Sequence, residues 1–537
     1  MSQEFLAVAR KFLSVTPSDE QASEAYDSMS DEYKSNVDKA VFIDYIQCPS
    51  NGSYMMHDYE GGGVDGIKSG ATQFAGVRVN MDLEPLDLPI DIYCKPNIDR
   101  LPSLDAVLIT RITPLHCLKK GVNEFEFFKM INEEMSLPYT CTAGFNSVSY
   151  DDVMSRSGFY SNLLPVYDRE WKNGNSRWDI YRVAMAYYAL RPNGIVWPEG
   201  EGDKQASLRL ERIAEVNDIV QENSHNAVDD VFAMIDVCRL FMKANRRLWD
   251  YLYSNRTKAN IQKFIADARN KNSPLIYINP YVGVNNRFIS VVHPINARLH
   301  DKNEVAFIEL QGDVKSIFER PVDATKELLY SSKEILAQAN QERPCLGKVK
   351  INQVPIILPI SVIGDERVRS LAGIDIDVVK KNLAFLLAKQ SEVVDLASSI
   401  YGVVESFEAN HYIEDRVYSS GFPSSSDMDV IHRIFEHGIE STVSAGGLPL
   451  FSSQHLNELL DRLCALHYPT LTTEENLAQF KALSIEKLTS PLDSDRVTIN
   501  EIESALKALE GDEREFAVKL AEEYREYLDY VKDWVAD

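Results

Sequence analysis

Apolar positions along this chain change their period several times, and the changes mark out its segments. In residues 1–50, Phe5, Leu6, Phe12 and Leu13 fall at helical spacing, and the polar run Thr16-Pro17-Ser18-Asp19-Glu20 that follows has the composition of a helix start. This segment reads as an acidic helical appendage. From Ser53 to about Ile195 the pattern becomes α/β, with strands expected at Tyr54-Met55-Met56, at 73–80, around Ile90-Asp91-Ile92-Tyr93 and at 139–145. Helical patterns follow at 178–189, 206–217 and 226–243. After Asn270-Lys271-Asn272-Ser273-Pro274 the apolar runs shorten to Leu275-Ile276-Tyr277-Ile278, Phe288-Ile289-Ser290-Val291-Val292 and 305–310, separated by turn residues, which predicts a small β domain. Helical periodicity then returns, and the final helix is expected to bury Phe516, Leu520, Tyr524, Leu528, Val531 and Val535 along one stripe. The expected division is a helical acidic extension at 1–50, an α/β domain at 51–270, a β domain at 271–362 and an α-helical domain at 363–537.

Composition agrees with a multi-domain globular chain. The 537 residues exceed the roughly 250 to 300 that a single core supports, and 45% are hydrophobic. Seven scattered cysteines without a C-x-x-C pair argue against a disulfide framework or a zinc ribbon. No signal-peptide pattern and no membrane-length apolar run is present, so a soluble, cytoplasmic protein is expected. The net charge of −25 counts against a polyanionic partner only if it is spread evenly. It is not, because residues 501–537 hold 12 acidic against 5 basic side chains, while 245–258 is locally basic and interleaved with Trp249, Tyr251 and Tyr253. An acidic exterior and a basic groove can coexist; a solvated helix with a partly buried aromatic stripe explains 245–258 equally well.

Three separated fragments carry candidate chemistry: His57-Asp58-Tyr59-Glu60, Asn146-Ser147-Val148-Ser149-Tyr150-Asp151 and His225-Asn226-Ala227-Val228-Asp229-Asp230. Two divalent ions about 4 Å apart need several carboxylates, since hard cations prefer charged oxygen and repel each other. Asp58, Glu60, Asp151 and Asp230 can supply them. His225 then remains to take a proton from the attacking water, its ordinary pKa of about 6.5 lying near working pH. Asp58 and Glu60, two apart after a strand, share one face. Asp151 falls where an apolar run gives way to a helix, at the carboxyl edge of an open sheet. Taken singly, each fragment has an ordinary explanation: a solvated acidic pair, a turn with a helix N-cap, a surface histidine.

Together with Leu108-Ile109-Thr110-Arg111-Ile112-Thr113-Pro114, Asn175-Ser176-Arg177-Trp178-Asp179, Ala189-Leu190-Arg191-Pro192 and Ser207-Leu208-Arg209-Leu210-Glu211, the fragments resemble the bacterial exonuclease I family. These are single-strand-specific 3′-to-5′ exodeoxyribonucleases of the DEDDh (DnaQ-like) superfamily. Fainter echoes at 349–355 and 417–422 extend the resemblance toward the C-terminus. It implies a ribonuclease H-like domain, an SH3-like β domain and a helical domain in a C-shaped molecule that holds single-stranded DNA processively and acts in repair and recombination as a monomer. It further implies two Mg²⁺ ions, replaceable by Mn²⁺, on Asp58, Glu60, Asp151 and Asp230, with His225 as general base. Asp152 is then expected to be a helix-capping neighbour. Arg177, Trp178, Arg256 and Tyr418 become candidate DNA contacts, and Arg191 a candidate contact for the acidic C-terminal tail of single-stranded DNA-binding protein.

One departure stands out. Relatives have Thr and Phe after the Asp-Tyr-Glu, whereas Gly61-Gly62-Gly63 follows here, removing side chains that could pack on terminal nucleotides. Residues 1–50 also lack a counterpart in the family. Two other readings are therefore kept: an attenuated or non-hydrolytic binder of single-stranded DNA ends, and an RNA 3′-end-trimming enzyme of the same superfamily.

Overall fold

Tyr54, Met55 and Met56 are fully buried, and the strand they begin, β1 (Ser53–Gly61), runs on through the polar His57-Asp58-Tyr59-Glu60. It is longer than the apolar triplet suggests because Tyr59 and Gly61 are also buried and because β2 (Ala71–Val79) pairs with it from Tyr54 to Gly61. With β3 (Ile90–Tyr93), β4 (Thr140–Gly144) and β5 (Ser176–Asp179) these form a sheet of order β3-β2-β1-β4-β5. β2 runs antiparallel to β1 and β4 parallel to it. The computed structural model describes residues 4–13, 15–219, 227–403, 410–447, 449–493, 495–510 and 512–536. They divide into two units, one of Met1–Arg177, Gln221–Ile235 and Glu408–Asp537, the other of Trp178–Val220 and Asp236–Phe407.

In the first unit, the N-terminal segment forms four short helices, α1 (Glu4–Phe12), α2 (Asp19–Asp27), α3 (Asp31–Asn36) and α4 (Lys39–Gln47). Ser18 starts α2 through a reciprocal capping box with Gln21. The helices bury Phe5, Tyr26, Tyr33 and Phe42 with Leu86 and Leu137 in one apolar cluster, and the Tyr33 hydroxyl donates to the Leu86 carbonyl at 2.5 Å. The segment is thus integral to the unit and not a loose appendage. It packs where β1 begins, since Leu86 pairs with Arg78 and Arg78 lies opposite Met55.

Helices α5 (Leu104–Thr110), α6 (Pro114–Lys120), α7 (Glu124–Met135) and α8 (Asp151–Ser161) complete the α/β layer. Residues from 410 onward add to the same cores. Ile434, Leu459 and Leu463 join Phe74, Phe125 and Phe159 in one cluster, and Leu488, Tyr524 and Leu528 join Leu101, Leu104 and Val107 in another. Between them lies a buried ion network in which Lys487 Nζ reaches Asp99 at 2.8 Å and Glu414 at 2.5 Å, and Arg462 reaches Asp99 at 3.1 Å. The last helix, Glu515–Ala536, buries Ala517, Ala521, Tyr524, Tyr527, Leu528 and Val531. Its buried face is rotated from the expected stripe, leaving Phe516 exposed beneath the Arg111 and Arg514 guanidiniums.

The second unit holds α9 (Ile180–Leu190), α10 (Leu210–Val216), most of α11 (Ala227–Ser254, kinked at Asn245) and α12 (Lys258–Lys271). Trp178 and Asp179, expected to open a helix, instead end β5, and Asp179 caps α9 by accepting the Tyr181 N–H at 3.0 Å. A five-stranded antiparallel sheet follows in the order β10-β6-β7-β8-β9, from β6 (Leu275–Ile278), β7 (Ile289–Ile295), β8 (Glu304–Glu309), β9 (Leu346–Lys350) and β10 (Ile356–Pro359). Ile261 and Ile265 of α12 pack on its apolar face. No helix among the described residues is long and apolar enough to cross a membrane.

Candidate active site

The site begins with a difference in strand length. β4 pairs with β1 only from Ser53 to Met56 and ends at Gly144, so β1 runs beyond its parallel neighbour. The chain leaves β4 through Asn146, whose φ of 63° is tolerated by asparagine, and enters α8 at Asp151. Asp151 Oδ1 then accepts the backbone N–H of Tyr59 at 3.1 Å, taking the place that a β4 carbonyl would have filled. One acceptor thereby ties α8 to the overhanging strand between Asp58 and Glu60.

Asp58 and Glu60 sit within β1, opposite Ala75 and Gln73 of β2. Alternation puts them on one face, and Asp230, in the first turn of α11, joins them. The three half-buried side chains each offer an oxygen within 4.8 Å of the others. Burial pushes the Asp58 carboxyl well above the usual carboxylate range, and Asp151, Glu60 and Asp230 add repulsion. The Glu60 carboxyl is pushed up to about 7 by burial and then by Asp230. Such mutual repulsion at a half-buried all-oxygen site is what a bound divalent cation relieves, so the donor set fits one. Asp151 stands beside this triad and not within it. His225 lies outside the described residues.

Asp152 is not the helix-capping neighbour its position suggested. Burial would raise its carboxyl, but the Arg177 and Arg169 guanidiniums hold it far below the usual range. Arg169 reaches it at 2.9 Å, and Arg177 pairs both with it and with Glu170, the latter at 3.0 Å. Arg177 is therefore a buried brace behind the site, which corrects its expected role as a DNA contact. Trp178 is corrected likewise, since only 3% of it is exposed and its ring packs edge-on against Trp249 at 4.7 Å. Arg256 lies 3.5 Å over the Tyr253 ring and donates to the Tyr253 carbonyl at 2.5 Å. Tyr418 is exposed, with Arg156 Nη1 3.5 Å from its hydroxyl. Arg191 is exposed and donates to the neighbouring Leu190 carbonyl at 2.6 Å.

Sequence patterns did not reveal what adjoins Glu60. A half-open cavity of about 830 Å³ runs from Glu60 past Gly61-Gly62-Gly63 to Leu101, Ile109 and Val497. Tyr150 also lines it and donates its hydroxyl proton to the Gly63 carbonyl at 2.8 Å. The triple glycine was the one available signal, and it told of missing side chains without telling what packs in their place.

Comparison with known proteins places this geometry. Residues 55–238 match the family model described as Exonuclease, and residues 256–403 the model described as Exonuclease I SH3-like domain. Exodeoxyribonuclease I of Haemophilus influenzae is 33% identical over 434 residues, covering 79% of this chain and 88% of that protein. The crystal structure of E. coli Exonuclease I in complex with a dA16 oligonucleotide superimposes with a TM-score of 0.81 at 28% identity, covering 89% of this chain and all of the other. An ExoI/SSB-Ct complex gives a TM-score of 0.79 at 27% identity, covering 90% and 99%.

Proposed function

This chain belongs to the exonuclease I family, and from that membership we propose that it is a processive 3′-to-5′ exonuclease on single-stranded DNA. It releases mononucleotides by two-metal hydrolysis and serves DNA repair and recombination in the cytoplasm as a monomer. The observation that carries the reading is the convergence of Asp58, Glu60 and Asp230 oxygens within 4.8 Å, with the Asp58 and Glu60 carboxyls raised by burial and by their acidic neighbours. Asp151 is the fourth ligand in this reading, already oriented by the Tyr59 N–H. All four donors are carboxylates, which suits Mg²⁺ with Mn²⁺ as a substitute. When bound, the ions supply an activated nucleophile and neutralise charge at the scissile phosphate.

His225 takes the proton of the attacking water, since it precedes α11 and so comes close in sequence to Asp230. Arg177, Arg169 and Asp152 keep the base of α8 rigid, so that Asp151 is presented in one orientation. The α/β segment at 51–270 carries the chemistry, while 271–362 and 363–537 hold the strand and give processivity through backbone contacts spread over many phosphates. Tyr418 and Arg256 remain the candidate DNA contacts, the exposed ring suited to stacking on a base. Arg191 is the candidate anchor for the acidic tail of single-stranded DNA-binding protein, a reading supported by the similarity to the ExoI/SSB-Ct complex.

End-labelled single-stranded DNA, duplex DNA and RNA, each incubated with Mg²⁺ and then with chelator, test the proposal. Chelator-sensitive degradation from the 3′ end of single-stranded DNA alone, with few intermediates, is expected. Equal trimming of RNA would favour an RNA-processing enzyme. Tight binding of DNA ends without cleavage would favour an attenuated end binder.

A further inference from the structure

The cavity beside Glu60 has walls of an unusual kind. Gly62 is clasped on both sides, its N–H donating to the Gly70 carbonyl at 3.0 Å and its carbonyl accepting the Ser103 N–H at 2.7 Å. A Cβ at Gly62 would stand 2.6 Å from the Ser69 carbonyl oxygen, and one at Gly61 would stand 2.0 Å from the Tyr150 hydroxyl oxygen. Bare backbone therefore forms this wall, and Tyr150 occupies the space that a side chain at 61 would need. Leu101, Ala106, Ile109 and Val497 supply apolar surface, and Val64 and Ile109 are themselves 99% and 65% exposed. Lys68 bridges the glycine loop to the segment carrying Val497, at 2.7 Å from Asp493 and 3.1 Å from Asp495, which holds the walls apart at a set width.

At about 830 Å³ the cavity lies in the upper part of the roughly 300–1,000 Å³ range that houses drug-sized ligands. A bare nucleobase, smaller than such a ligand, leaves much of it empty. Apolar walls suit the faces of an aromatic base, and the shared Glu60 puts the cavity within one side chain of the carboxylate cluster. We propose that this cavity seats the 3′-terminal base and, because it is larger than a base, also admits a terminal base enlarged by an apolar adduct, making adduct-ended strands substrates. The inference rests on the nuclease reading above.

The test uses the full chain and end-labelled single-stranded oligonucleotides ending in deoxyadenosine or N6-benzyldeoxyadenosine. The native protein is expected to release both terminal nucleotides at rates within about tenfold of each other. Ala106→Phe and, separately, Ile109→Trp fill the cavity, and each should lower the benzylated-to-plain rate ratio by roughly tenfold or more. Release of the plain nucleotide with stalling at the benzylated end would overturn the inference, as would folded filled variants with an unchanged ratio. Failure to release even the plain nucleotide would instead overturn the nuclease reading. The native comparison needs no variant, so it decides the matter even if both substitutions impair folding.

Discussion

Asp151 and Asp152 are adjacent on α8, yet their surroundings give them opposite characters. Asp152 is neutralised by Arg169 and Arg177, so its charge is used up inside the protein. Asp151 faces the overhanging end of β1, where the other nearby acids are Asp58, Glu60 and Asp230, and where burial and this acidic company push the Asp58 and Glu60 carboxyls up. Neutralising one member of that set should therefore separate function from stability. Asp58→Asn is expected to lower the nuclease rate by about 10³-fold or more, while raising the metal-free melting temperature, because a buried repulsion is removed. Calorimetry with and without Mg²⁺, beside single-turnover assays, checks both; an unstable variant with near-native turnover would sink the assignment. At the general base, His225→Ala should cost roughly 10²–10⁴-fold in rate at pH 7. The deficit should shrink as pH rises and hydroxide replaces the lost base, which a pH–rate profile reads directly.

Among the elements, the four N-terminal helices show how a segment that looked peripheral becomes structural. Their aromatic residues close over Leu86 and Leu137, next to the buried Asp87. Burial, and then the neighbouring Glu134, push the Asp87 carboxyl up to about 8. The folded chain thus keeps a proton that an unfolded aspartate releases near pH 4, so the stabilisation is complete below about pH 4 and is lost as pH rises toward 8. Asp87→Asn should flatten that loss. The melting temperature of the native protein is expected to fall more between pH 5 and pH 8 than that of the variant, and parallel curves would refute the linkage. The last helix illustrates a different lesson. Helical spacing placed Phe516 and Leu520 on its buried stripe; Leu520 does pack partly against the core, but Phe516 is exposed and alanines 517 and 521 face inward, allowing close approach to its neighbours.

For the molecule as a whole, residues from 410 onward share cores with the α/β sheet, and Asp99, Glu414, Arg462 and Lys487 form a buried ion network across that boundary. Removing one member of such a network costs about 3–5 kcal/mol, because charges of the opposite sign stay buried without full compensation. Lys487→Met should destabilise the protein by that amount in urea titrations. A fragment ending near Asn270 is accordingly expected to lose solubility, since it uncovers Phe125, Phe159 and Leu104; a soluble, cooperatively melting fragment would contradict this.

Period-two and helical patterns located Ile90–Tyr93 and Leu275–Ile278 as strands, and spacing alone put Asp58 and Glu60 on one face. These features are local: two neighbours on a pleat share a side whatever the rest of the chain does. The helix start within residues 16–20 was legible for the same reason. The fates of Arg177 and Trp178 were not, because an arginine becomes a brace or a DNA contact according to whether a carboxylate such as Asp152, 25 residues away, meets it inside the fold. The extent of β1 depended on pairing with β2, and the cavity beside Glu60 on walls from residues 61–63, 101–109 and 497. Sequence by itself determined which residue types could do the chemistry and the order of strand-rich and helical segments. Tertiary structure decided which charges are neutralised, which aromatic rings are covered and which glycines meet close neighbours, since burial and electrostatics are set by residues distant in the chain.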